Sequence, residues 1–155
     1  MPLDPDFVAQ CPYGGESLLL DEVVEVNAAE NRVVARMTPH AELPLVRDQR
    51  VHATRHPAHV AGGLLVHASG ILGFVHAYYV IGLRMRDGWT GYGAKIHEAS
   101  FRSLARIDEA ILLECRAKLV RRRSASVIAR YEFTFTQDGV VVYEGDQTAM
   151  FTKVD

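Results

Sequence analysis

The sequence has few of the features that mark disulfide-rich, secreted or nucleic-acid-binding proteins. Among its 155 residues are only two cysteines, Cys11 and Cys115, and a chain of this length can bury a core without disulfides. We therefore expect free thiols and a reducing, cytoplasmic compartment. The formal net charge is -2, so there is no basic surplus to neutralise phosphates, and we expect no nucleic-acid partner. The opening MPLDPDFVAQ also lacks the pattern of a signal peptide.

Charge is absent from the segment 56–83, HPAHVAGGLLVHASGILGFVHAYYVIGL, which contains no Asp, Glu, Lys or Arg. Four of the seven histidines lie in it: His56, His59, His67 and His76. The segment is longer than the roughly 20 residues that cross a bilayer. Its histidines, tyrosines, serine and glycines lower its hydrophobicity, and strand-like segments surround it. We therefore expect a helix buried nearly all round within one domain (1–155), and no membrane span.

The remaining segments favour strands, because apolar and polar residues alternate in them or β-branched residues are frequent. Asp138-Gly139 is a strong hairpin signal. The segment 38–55 has two prolines and many charges, which indicate a loop. The helix is predicted to begin between 57 and 63 and to end at 84–88. Strands are predicted at 18–27, 32–37, 95–104, 110–120, 125–137 and 140–153.

This order, β-β-helix-β-β-β-β, predicts an α+β fold in which a curved antiparallel sheet of five to six strands wraps one long central helix. A sheet of this kind has edges whose backbone groups are unpaired. Pairing two copies would extend the sheet and cover one edge, so we expect a homodimer or a dimer of dimers.

Three segments carry a resemblance to the hot-dog fold of acyl-thioester enzymes. The segment 15–26, GESLLLDEVVEV, resembles the opening strand of beta-hydroxyacyl-ACP dehydratases. The segment 56–70, HPAHVAGGLLVHASG, lies where those dehydratases carry a His-Phe-Pro-Gly loop, then Pro-Gly, then a helix bearing a glutamate. The segment 99–108, ASFRSLARID, resembles the strand and turn that follow the helix. The segment 56–70 is also similar to FcoT-type long-chain acyl-CoA thioesterases, which share a histidine-containing loop at this place.

The resemblance implies a thioester substrate and places His67 where the dehydratase glutamate stands. Dehydration of a 3-hydroxyacyl thioester normally uses a histidine and an acid, and the helix has no carboxylate. We therefore expect a thioesterase that hydrolyses a fatty or polyketide-type acyl thioester. A 3-hydroxyacyl-thioester dehydratase or enoyl hydratase is the first alternative, and a non-catalytic acyl-CoA-binding module is the second.

The resemblance, taken together with the chemistry of histidine and of a helix start, gives expected roles within the segment 56–83. His67 is the expected general base, and either His56 or His59 contacts the thioester. Backbone N–H groups at Gly62 and Gly63 would stabilise the oxyanion. Each of these residues also has a structural interpretation. His67 would then be a buried, hydrogen-bonded histidine, and His56 and His59 would be loop or capping residues. Gly62 and Gly63 would allow tight packing of the helix.

Other residues receive secondary assignments. Phe74 and Tyr78 are expected to line the acyl tunnel, while Ser69 and His76 are interpreted as packing or core residues. Coenzyme A or the phosphopantetheine of an acyl carrier protein would enter as part of the substrate, with no separate cofactor and no metal site expected. Its phosphates could bind basic side chains, although these could equally be a solvated strand edge: Arg102, Arg121, Arg122 and Arg123.

Overall fold

The computed structural model describes residues 1–154 and contains one antiparallel sheet of six strands in the order β1-β2-β4-β5-β6-β3. The predicted sequence of elements is confirmed. A short helix α1 (Pro5–Gln10) precedes β1, and the long helix α2 (Gly62–His76) lies between β2 and β3. The strands are β1 (Glu22–Asn27), β2 (Arg32–Met37), β3 (Trp89–Phe101), β4 (Ile111–Arg122), β5 (Ser126–Gln137) and β6 (Val140–Lys153).

Helix α2 is stabilised mainly by what it packs against. No side chain caps its first residue, and glycines lower its intrinsic helix propensity. It continues as a π-helical turn over Ala77–Ile81 and stops at Gly82, whose φ of 81° is left-handed. The helix from Gly62 to Ile81 is long and apolar enough to cross a membrane by composition, but 61% of an 18-residue stretch of it is buried inside the protein. It therefore forms the core of this fold.

One stripe of α2 is not covered, contrary to the prediction of burial nearly all round. Gly63, His67, Gly70 and Phe74 recur at helical spacing and share this stripe. The two glycines are exposed, and the histidine and phenylalanine are half-buried. The opposite side of the helix packs against the sheet through fully buried residues: Ala68, Ile71, Leu72 and Val75.

Two strand boundaries differ from the prediction. Strand β3 begins at Trp89 rather than at 95, because Gly91 and Gly93 belong to the sheet. A Cβ on Gly91 would lie 2.5 Å from the ring of Phe151, so this glycine makes room for an aromatic core residue. Strand β1 begins only at Glu22, because a 3-10 turn occupies Gly15–Leu18.

Two local predictions are confirmed. Asp138 and Gly139 have φ angles of 49° and 74°, which is the left-handed geometry of the tight turn that joins β5 to β6. Cys11 and Cys115 are both free thiols, and Cys115 is fully buried.

Candidate functional site

A cavity of about 580 Å³ lies between α2 and the inner faces of β3, β5 and β6. It exists because small residues face it: Gly93 and Ala149 pair directly across β3 and β6. The cavity follows α2 from His67 to Phe74, a rise of about 10 Å along the helix. Its walls are largely apolar, as a binding site for a small apolar group requires.

His67 lies at the wall of this cavity, half-buried. Its Nε2 atom is 2.8 Å from the backbone carbonyl oxygen of Ser17. A carbonyl oxygen only accepts, so Nε2 carries the hydrogen and the neutral ring has its lone pair on Nδ1. Within residues 1–154, Nδ1 has no hydrogen-bond partner. The ring of Tyr13 packs edge-on at 4.7 Å between ring centroids, so the N-terminal segment fixes the imidazole from two directions.

The other polar groups around the cavity include no carboxylate among the described residues. Lys95, Thr90 and Thr148 lie on the strands, and the hydroxyl-bearing rings of Tyr13 and Tyr131 also line the wall. Nor does any group of three or more His, Cys, Asp or Glu side chains within residues 1–154 have the arrangement to hold a metal ion. His67 is thus the one histidine at a largely apolar cavity, whose only charged side chain among the described residues is Lys95.

A second polar group lies on the same cavity wall. Ser69 is fully buried on α2, and its hydroxyl donates to the Val66 carbonyl oxygen at 2.6 Å. The Gln147 amide nitrogen on β6 donates to the Ser69 hydroxyl oxygen at 2.7 Å and to the Tyr143 hydroxyl at 3.1 Å. Ser69 therefore packs the helix as predicted, but it also orients Gln147.

The predicted loop histidines are not at this cavity within one chain. His56 is exposed, and its backbone forms two hydrogen bonds with His52 across a tight loop. His59 Nδ1 contacts the Pro57 carbonyl oxygen at 2.8 Å, and both backbone groups of His59 bond to the side chain of Gln49. The rings of His56 and His59 are 5.0 Å apart, so they form a pair of their own.

The two glycines at the start of α2 have different surroundings. A Cβ on Gly62 would lie 2.8 Å from the ring of Phe101, so a larger residue there would force this ring to move. Gly63 is exposed and lies one turn before His67 on the same face. The first N–H groups of a helix have no intrahelical acceptor. Within residues 1–154, neither glycine N–H donates to another group.

Of the two residues predicted to line an acyl tunnel, only one borders the large cavity. Phe74 lines the cavity, whereas Tyr78 borders a separate void of only about 10 Å³. Phe74, Thr90 and Phe151 border both spaces. The Arg84 guanidinium lies 3.6 Å above the Tyr78 ring centroid, so Tyr78 is fixed where α2 ends.

The four predicted phosphate-binding arginines are divided between the two ends of α2. Arg102 follows β3 directly after Phe101, which packs on Gly62, and it forms an ion pair with Glu144 at 2.7 Å. Arg122 contacts the Ile81 carbonyl oxygen at the other end. Arg121 and Arg123 are exposed beside it. The cluster at 121–123 is therefore remote from His67, since 14 residues of helix separate His67 from Ile81.

His76 is a core residue, as predicted. It is fully buried, and its Nδ1 lies 3.2 Å from the Tyr131 hydroxyl. Its Nε2 has no hydrogen-bond partner within residues 1–154. Burial lowers the pKa of His76 to about 4, against a smaller opposing effect from the Asn31 backbone, so the ring is neutral at ordinary pH.

Sequence reasoning missed Tyr13 and Gln147. Tyr13 precedes the first segment of the resemblance and gave no local signal. Gln147 had one: its neighbours two residues away on either side, Gly145 and Ala149, are small inward-facing residues. A glutamine between them is an uncharged polar group on the inner face of a strand.

No family model and no curated protein matches the sequence. Solved structures do match, all at low identity. The dehydratase heterocomplex ApeI:P from Xenorhabdus doucetiae has a TM-score of 0.63 at 13% identity, covering 100% of this chain and 92% of that one. A mutant thioesterase from Pseudomonas aeruginosa has a TM-score of 0.62 at 16% identity, covering 96% and 92%. A thioesterase from Haemophilus influenzae has a TM-score of 0.61 at 15% identity, covering 94% and 87%.

This chain has the hot-dog fold. The prediction of one long helix wrapped by a curved antiparallel sheet is confirmed by these likenesses and by the strand order. At such identities a likeness extends to the fold and not to the reaction. The reaction must be argued from His67 and the cavity.

Proposed function

We propose that this protein is an acyl-thioester-processing enzyme and that its reaction is thioester hydrolysis. The observation that carries the proposal is His67, whose Nε2–H is bonded to Ser17 while its Nδ1 is free, at the wall of a cavity of about 580 Å³. Hydrolysis needs one base to take a proton from water. The cavity along α2 is apolar enough for an acyl chain.

In this mechanism the His67 Nδ1 atom accepts a proton from water while the water oxygen attacks the thioester carbonyl carbon. The resulting tetrahedral oxyanion needs hydrogen-bond donors. The N–H of Gly63 is one turn from His67 on the exposed stripe, and the Gly62 N–H adjoins it. When the carbon–sulfur bond breaks, the proton held by His67 passes to the departing thiolate, which yields a free thiol and a carboxylic acid.

The substrate in this proposal is a thioester of coenzyme A or of an acyl carrier protein, whose acyl chain lies along α2 from His67 toward Phe74. Arg102, near the start of α2, is the best placed of the predicted phosphate-binding arginines. His56 and His59 do not line the same chain's cavity, so a role in the thioester site requires a second copy of the chain.

A homodimer would supply that second copy. Within residues 1–154, strand β3 is an edge strand that pairs only with β6, and exposed apolar side chains occur along it, including Tyr92 and Ile96. A long edge of this kind is normally covered. We propose that two copies pair along it, which would place a partner beside the exposed stripe of α2.

Dehydration of a 3-hydroxyacyl thioester, or the reverse hydration, is the second candidate. It is supported by the likeness to a dehydratase complex over the whole chain. It requires His67 both to take the proton from carbon and to deliver one to the leaving hydroxyl, because no carboxylate among the described residues lines the cavity.

One assay separates these reactions. The purified protein is given saturated and 3-hydroxyacyl thioesters of coenzyme A, while released thiol and enoyl absorbance are both recorded. Thiol release supports hydrolysis, and enoyl absorbance without thiol supports dehydration. If neither appears across chain lengths while the thioesters bind, the protein is an acyl-CoA-binding module and both enzymatic assignments are wrong.

A further inference from the structure

Gln147 is an uncharged polar residue on an inner strand face that otherwise carries small and aromatic side chains. It pairs across the sheet with Tyr131 on β5 and with Ile96 on β3. All three residues line the cavity. Gln147 therefore lies in the cavity wall, beside the path of an acyl chain whose thioester is at His67.

The orientation of the Gln147 amide is determined by Ser69. The single hydroxyl hydrogen of Ser69 is used in its bond to the Val66 carbonyl oxygen, so the Ser69 oxygen can only accept from Gln147. The atom 2.7 Å away must then be the amide nitrogen. The second amide hydrogen bonds the Tyr143 hydroxyl at 3.1 Å. Both donors of the amide are thus occupied by fully buried partners.

The amide oxygen of Gln147 is left as a free acceptor. Within residues 1–154 no protein group donates to it, yet it is not sealed from solvent. Water can bond it while the cavity is open. A purely apolar chain that displaced this water would leave the oxygen unpaired, which would weaken its binding.

We propose that Gln147 is a specificity residue that selects acyl groups carrying a hydrogen-bond donor, a hydroxyl above all, within the cavity. The ligand hydroxyl would donate to the Gln147 amide oxygen and replace the displaced water. This assignment rests on the proposed thioester function. The amide N–H of the pantetheine arm is the other source of a donor, and it is common to every thioester of coenzyme A or of a carrier protein, so it would give no preference among acyl chains.

The test uses binding as well as turnover. Non-cleavable thioether analogues of coenzyme A thioesters, with saturated acyl chains or with chains of equal length hydroxylated at different positions, are titrated by calorimetry against the full chain. We expect at least one hydroxylated analogue to bind about 10-fold or more tightly than its saturated counterpart, a factor equivalent to about 1.4 kcal/mol. Gln147→Met, which keeps the volume but removes the amide oxygen, should abolish that preference.

The control is Gln10→Met, since Gln10 is outside the cavity and its side chain accepts from the Arg86 backbone N–H. It should leave the preference unchanged. Thermal unfolding shows whether each variant is folded, and Gln147→Leu, which also removes the amide oxygen and should likewise abolish the preference, provides a second variant if the methionine is not tolerated. Equal affinity for saturated and hydroxylated analogues, no binding of any analogue, or an equal loss for both classes in Gln147→Met would overturn the assignment.

This experiment separates the two proposals. Preferential binding of a hydroxylated analogue by a protein that cleaves no thioester would sustain the role of Gln147 and contradict hydrolysis. Hydrolysis by a protein that binds the saturated and hydroxylated analogues equally well would support the thioesterase assignment and contradict the role of Gln147.

Discussion

The His67 imidazole on α2 is held by the backbone carbonyl oxygen of Ser17, 50 residues earlier in the chain, at a distance of 2.8 Å. The bond fixes the hydrogen on Nε2 and leaves Nδ1 as the basic atom. A backbone acceptor cannot itself be protonated, so it orients the imidazole without adding a negative charge. This arrangement orients a base in a cavity wall that has no carboxylate among the described residues.

Replacing His67 by alanine should reduce turnover of the best thioester by about 10²-fold or more, because the proton acceptor is lost. Steady-state kinetics with a thiol-detecting reagent measures the effect. His40→Ala is the matched control, since His40 is exposed and does not line the cavity. Full activity in the His67 variant would remove this residue from the mechanism.

Gly145→Ala should destabilise the fold by about 1–3 kcal/mol, because the new methyl group would overpack the core. A Cβ at this position would lie 2.6 Å from the Tyr143 hydroxyl oxygen. Urea unfolding measures the loss. Gly14→Ala is the control, since nothing lies within 4 Å of a Cβ there, and it should change stability much less. Equal stability of the two variants would show that Tyr143 moves aside freely.

The sequence was sufficient to predict the order of elements because its signals are local. Alternation identified β4 and β5, the Asp138-Gly139 pair identified β6 as the hairpin partner of β5, and the uncharged run identified α2. The first half of β3 was missed, since glycine is unfavourable in a strand by propensity. The packing of Phe151 over Gly91 is a contact between residues 60 apart, and no local pattern reports it.

The candidate site was predictable only in part. His67 was singled out because the resemblance places it where the dehydratase glutamate stands, and in the structure it lies at the wall of the cavity. Its partners could not be found, because Ser17 contributes a backbone oxygen that any residue type would provide. The tunnel assignment was mixed: Phe74 lines the cavity and Tyr78 does not. The type of a side chain does not show which cavity it borders.

The proposed pairing along β3 predicts that Ile96→Asp weakens self-association. The Ile96 side chain is 52% exposed on the edge strand, and a buried charge there would be unpaired in the interface. Sedimentation velocity over a range of concentrations gives the oligomeric state. Ile128→Asp is the matched control, because Ile128 is 41% exposed on β5, away from the sheet edge. A wild-type protein that remains monomeric would contradict the dimer.

His76 should make the protein sensitive to mild acid. Burial lowers its folded-state pKa to about 4, below the value of about 6.5 expected in the unfolded chain. Between these values the unfolded state binds a proton that the native state does not, so stability falls as the pH is lowered from about 6.5 to about 4. The difference between the two pKa values of His76 corresponds to a total loss of about 3 kcal/mol in the free energy of unfolding.

The contribution of His76 is isolated by comparing wild type with His76→Leu. Urea unfolding is measured at several pH values between about 7 and 4.5. The variant loses the contact with the Tyr131 hydroxyl and is expected to be less stable at neutral pH. Its stability should nevertheless decline less steeply with acid, because the group that takes up the proton on unfolding is gone. His40→Leu, at an exposed histidine, is the control for the loss of an imidazole. Parallel curves for wild type and His76→Leu would mean that the acid sensitivity arises elsewhere.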